Sequence, residues 1–137
     1  MLGGGLSLTR ECNKHSRVLL RTLEDTFIEL FEEQVPALAE HLGVEPTAEA
    51  VLGYLEEHPE ELTEERLMEV AKHSRVLGMG LSFILAFFAR HRPSYEDLVN
   101  VARECGLENT YYMLLGFPRL SRRVVELLNR MASGVRG

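Results

Sequence analysis

One hexapeptide occurs twice in this chain: Lys14-His15-Ser16-Arg17-Val18-Leu19 returns as Lys72-His73-Ser74-Arg75-Val76-Leu77, and these copies hold the chain's two lysines. Glu11 and Glu69 each precede the histidine by four, so both copies read Glu-x-x-Lys-His-Ser-Arg-Val-Leu. Residues four apart share a helix face, so each copy sets a carboxylate beside an imidazole. That face runs on through Leu19 and Leu23 in one copy and Leu77 and Leu81 in the other. Both histidines are therefore expected to point inward, near the start of a long helix. Packed together, two such helices would join Glu11, His15, Glu69 and His73 into a set of two imidazoles and two carboxylates, suited to zinc, iron or manganese. A divalent transition metal is the one cofactor this pattern allows; otherwise none is expected. The Glu-x-x-His and additional glutamates of ferritin-like bundles are absent. The plainer reading is a diverged duplication of a helical hairpin, with each Glu and His satisfying the other at the edge of the core.

The same region permits acid-base chemistry. Arg10-x4-His15, and more loosely Arg66-x6-His73, resemble the Arg-x4-6-His motif of the HEPN ribonucleases, which are all-α proteins that cleave RNA. The resemblance implies that His15 or His73 acts as acid or base while Arg10 or Arg66 stabilises the phosphorane. The polar residue that follows the arginine in that family is Glu11 in one copy, and its place is taken by Leu67 in the other.

A third signal lies in residues 94–115. Leu98-Val99-Asn100-Val101-Ala102-Arg103-Glu104-Cys105-Gly106-Leu107, followed by Tyr112 and Leu115, reads as a helix-turn-helix-like hairpin: Ala102 lets the helices approach and Gly106 makes the turn. Its second helix presents Glu108, Asn109, Thr110 and Met113, of which Asn109 and Thr110 suit base contacts. Arg119, Arg122, Arg123, Arg130 and Arg136 follow in the last helix and, with Arg17 of the first, could meet phosphates. Any tight helical hairpin shares this pattern. No glycine-rich phosphate loop, Gly-x-Ser-x-Gly elbow or serine-histidine-carboxylate set is visible, so an enzyme of a common class is not expected.

Helices must position all of these residues. Leu19, Leu20, Leu23, Phe27, Leu30 and Phe31 recur at helical spacing until Pro36 ends or kinks the first helix, and a short continuation stops at Gly43. Thr47 caps a helix that His58-Pro59 closes, and Thr63 caps one read as continuous to about Arg92. Within it Leu81 to Ala89 is apolar on every face, so this helix, about 64–92, is expected at the centre, surrounded by the others. Gly78 and Gly80 just before it would admit a close neighbour. Ser94 with Asp97 opens a further helix as a capping box, Gly106 ends it, and helices over 108–115 and from 118 to about 134 complete the chain. No segment alternates at period two.

The 137 residues fit one domain. The expected fold is all-α, a bundle of six or seven helices over residues 9–137, behind a flexible leader at 1–8. Without a signal peptide or a span long enough for a bilayer, the chain reads as cytoplasmic with no membrane partner. Cys12 and Cys105, lacking any Cys-x-x-Cys spacing, are expected as buried free thiols. Charge is unevenly spread: residues 24–69 carry fifteen acids against Arg66 alone, while residues 70–137 carry ten basic and five acidic residues. An acidic face in 24–69 is expected to meet a protein partner or another copy of the chain. The favoured expectation is a non-enzymatic binding module associated with nucleic acid through its arginine faces. The alternatives are a pure protein-protein interaction or scaffold module, and a metal-binding or HEPN-like site in the duplicated segments.

Overall fold

Side-chain caps set the boundaries of most helices. The computed structural model describes residues 12–136 as eight α-helices, with no strand among them. The leader at 1–8, Arg10, Glu11 and the side chain of Arg136 lie outside the described residues. Asn13 accepts from the Ser16 backbone N–H at 2.9 Å and starts α1, Lys14–Ile28. One π-helical turn, Glu29–Glu33, joins it to α2, Val35–Leu42, in which Pro36 occupies the first turn, where a missing N–H costs nothing. Gly43 then ends α2 in the left-handed region at φ 71°. Thr47 caps α3, Ala48–Glu57, and a 3₁₀ turn at Pro59–Glu61 follows. Thr63 caps α4, Glu64–Ala71. Three helices complete the order after α5, Arg75–His91: α6, Tyr95–Glu104, opened by the Ser94/Asp97 capping box; α7, Glu108–Gly116; and α8, Pro118–Arg136.

The eighth helix arises because the segment expected as one helix over 64–92 is two. Ser74 Oγ accepts from the Leu77 backbone N–H at 3.1 Å and donates to Glu29 Oε2 at 2.8 Å. The serine thus acts as an N-cap held by a partner 45 residues away, and the chain bends at Lys72–Ser74. In the first copy of the hexapeptide Asn13 is the cap, so the equivalent Ser16 stands inside the helix, and its buried hydroxyl finds no partner among the described residues. The same six residues therefore carry two backbone conformations, while their burial repeats: serine and leucine buried, the other four exposed.

The core joins Leu19, Leu20 and Leu23 of α1 to Leu77, Ile84 and Phe88 of α5 and Leu120, Leu127 and Leu128 of α8. α5 packs chiefly on α8 and α1. Gly80 makes the second contact possible, since a Cβ there would lie 2.5 Å from Thr26 Oγ1. Gly78 has no such role, its nearest neighbour being the Ala71 carbonyl at an ordinary 3.8 Å.

The cysteines overturn the expectation of free thiols. Cys12 and Cys105 form a disulfide across 93 positions, with Cα atoms 5.0 Å apart. Local spacing carries no information on such a pair; what joins them is the packing of the α6–α7 hairpin against α1. No helix among the described residues is long and apolar enough to cross a membrane.

Candidate functional site

The duplicated segments do not meet. Ser74, at the start of α5, bonds to Glu29, just past the end of α1, and Gly80 lies against Thr26, so α5 runs back along α1. Ser16 stands thirteen residues before Glu29, about 20 Å away at 1.5 Å of rise per residue. The histidines also point the other way from expectation, His15 and His73 both being exposed. The reason is phase: with serine and leucine turned to the core, the histidine one position before the serine falls outside it. Glu69 and His73 form a surface pair, Oε2 to Nε2 3.8 Å, and Glu69 also meets Lys72 at 3.4 Å. No group of three or more candidate metal ligands occurs among the described residues. Arg66 is turned from His73 to the Glu61 carbonyl and carboxylate, at 2.7 and 3.0 Å.

α6 and α7 are joined by a turn in which Gly106 takes φ 67°, and Ala102 of α6 is buried. Thr110, expected at base edges, is instead fully buried and donates to Glu24 Oε1 at 2.9 Å. Asn109 is exposed.

The arginines of α8 are largely engaged within the molecule. Arg122 pairs with Glu96 at 2.6 Å and lies over the Tyr95 ring, 4.4 Å from its centre. Arg123 donates to the Leu62 carbonyl and to Glu126, both at 3.0 Å, and Arg130 meets Glu126 at 3.2 Å. Arg119 is exposed beside Glu60 in an open groove. Arg17 is exposed, with Nη2 3.4 Å from Cys12 Sγ. The Glu96 carboxyl is held below its usual range by its own backbone N–H in the first turn of α6, and next by Arg122. Burial pushes the Tyr95 phenol above its ordinary value; the nearby Arg122 charge opposes this, and Glu96 and Glu56 add to it.

Several glutamates of segment 24–69 serve as internal ties. Glu24 holds Thr110, Glu29 holds Ser74 and Gln34, and Glu61 holds Arg66. Glu56 of α3 accepts from the backbone N–H groups of Arg119 and Leu120 at 3.1 and 3.0 Å. It caps α8, whose preceding residue, Phe117, has no side-chain acceptor to offer.

The surface that stands out was not expected at all. α5 was to be enclosed, yet Val76, Met79 and Phe83 are 60, 66 and 42% exposed, and Ser82 and Ala86 are exposed with them. Phe83 and Phe87 lie with ring centres 6.4 Å apart, and Phe87 stacks toward His91 at 4.5 Å. Leu77, Leu81, Ile84 and Phe88 face the core, so α5 is buried on one side and apolar on the other. Between Arg75 and Arg90 the helix carries no charged residue. The signal was present in the sequence as a helix apolar all round, but periodicity does not say which face a neighbour covers. No family model, curated protein or solved structure matches this chain.

Proposed function

We propose that this chain is a protein-interaction module that engages its partner through the outward face of α5. The observation that carries this is the exposure of Val76, Met79 and Phe83 on a helix with no charge from 76 to 89. Water-exposed helix faces in a monomer are normally polar, and contiguous apolar surface of this kind marks contact sites. Aromatic residues and methionine are also the side chains enriched where proteins meet.

The reading through phosphates is less well supported. Arg122, Arg123 and Arg130 already hold carboxylates of this chain, and Thr110 is enclosed. Glu60 and Glu126 share the groove of Arg119, Arg122 and Arg123, lowering its attraction for a polyanion.

A photo-crosslinking side chain placed at Met79 tests the proposal in the cells that make the protein, with Tyr112, equally exposed at 66%, as the control position. A discrete cross-linked protein is expected from position 79, absent from 112 and lost when Phe83→Lys is added. Identical adducts from both positions would contradict it.

A further inference from the structure

We infer that the occupant of the α5 face is an amphipathic helix of about three turns whose apolar stripe is flanked by carboxylates; this rests on the reading of α5 as the contact surface. The exposed residues Val76, Met79, Phe83 and Ala86 follow one another at three, four and three, the spacing at which side chains of one helix enter the gaps of another. From 76 to 87 the face rises about 17 Å, the length of three turns. It offers far fewer side chains than the roughly 20 per partner of a standard interface between folded domains, which fits a single docked helix.

Charge selects the partner's chemistry. From Val70 through Tyr95 the chain contains no carboxylate, while Lys72 and Arg75 stand before the apolar face and Arg90 and Arg92 after it. Glu69 occupies Lys72. Arg75 and Arg90 make no ion pair among the described residues, and both are exposed. At the α4–α5 bend, Lys72, His73 and Arg75 line an open cleft that Gly78, Met79 and Ser82 continue onto the face. A docked helix therefore meets apolar contacts along its middle and cations at both ends. A second copy pairing through the same face fits less well. Antiparallel, it would set Arg75 against the other copy's Arg90, and parallel it would set each arginine against itself; like charges cost affinity in either case.

Two synthetic helical peptides of 18 residues, each with leucine at the stripe positions, supply the test. One carries glutamate and the other lysine at both ends of the stripe, and binding to the full chain is read by fluorescence anisotropy. The glutamate peptide is expected to bind at least tenfold more tightly. Arg75→Glu with Arg90→Glu should invert that preference, and Phe83→Lys or Met79→Lys should remove binding of both, with circular dichroism unchanged. Equal binding of both peptides, lost in Phe83→Lys, would overturn the acidic partner and leave the contact surface standing. If neither peptide bound, and the chain sedimented as a dimer that Phe83→Lys dissociates, the occupant would be a second copy. Binding to phosphatidylserine vesicles in place of either peptide would make it a lipid surface. A monomer that bound none of these would overturn both readings.

Discussion

At the scale of single residues, the fold depends on polar groups that complete one another across long separations. Leu114 would ordinarily give its carbonyl to the N–H four residues on, but that residue is Pro118, which has none. The Tyr95 hydroxyl, from α6, donates to that carbonyl at 2.8 Å and fills the gap. The phenol is buried, and its folded-state pKa is raised, first by that burial. The folded chain thus holds the proton more tightly than the unfolded one, so stability is complete below the ordinary tyrosine pKa and declines as the pH rises through and beyond it. Tyr95→Phe should cost about 1–2 kcal/mol at neutral pH by leaving the carbonyl unpaired. It should also flatten the part of this alkaline decline due to Tyr95 in denaturant titrations run across that range. The two glycines of α5 make a sharper contrast. Gly80→Ala drives a Cβ to 2.5 Å from Thr26 Oγ1. That hydroxyl also bonds the Thr22 carbonyl at 2.7 Å, so it cannot turn away without losing a partner. A loss of about 1–3 kcal/mol is expected from the overpacking. Gly78→Ala meets nothing closer than 3.8 Å and should stabilise, by about 0.5–1 kcal/mol of helix propensity. Paired thermal melts should therefore move in opposite directions.

At the scale of elements, capping chemistry was legible and coverage was not. Thr47, Thr63, Ser94 with Asp97, Gly43 and Gly106 all act where the sequence places them. Each depends on a hydrogen bond or a φ angle within a few residues of itself. Ser74 falls inside the segment expected as one continuous helix, because what makes it a cap includes Glu29, which the local sequence cannot show. α5 is the larger case. An all-apolar helix is the pattern of a central element, and α5 is indeed the helix packed most extensively on both α1 and α8. The remaining face, from Val76 to Phe87, is left open because no other helix among the described residues crosses it. Of the candidate site, the residues named from sequence were chemically apt but not brought together. Glu69 and His73 pair at the surface, the two hexapeptides stand at opposite ends of α1, and Thr110 belongs to the interior. Helical phase fixed which side each residue faces. Only the antiparallel course of α5 along α1 shows that the copies lie far apart.

At the scale of the whole molecule, one covalent tie and an uneven charge distribution organise the chain. The Cys12–Cys105 bridge joins the start of α1 to the end of α6. By the chain-entropy account, closing a loop of this length is worth about 4–5 kcal/mol. Cys105→Ser should lower stability by up to that amount in denaturant titrations, and wild-type protein unfolded without reductant should show no titratable thiol. The acidic segment is tied to the start of α8 by Glu56, which accepts from two backbone N–H groups there. Outward on α5 lies an apolar strip with cations at its ends. The most direct measurement is photo-crosslinking from Met79 in the cells that make the protein, with Tyr112 as the reference position. The account expects one discrete protein adduct from position 79, absent from 112 and abolished by Phe83→Lys; adducts that are the same from both positions and indifferent to Phe83→Lys would contradict it.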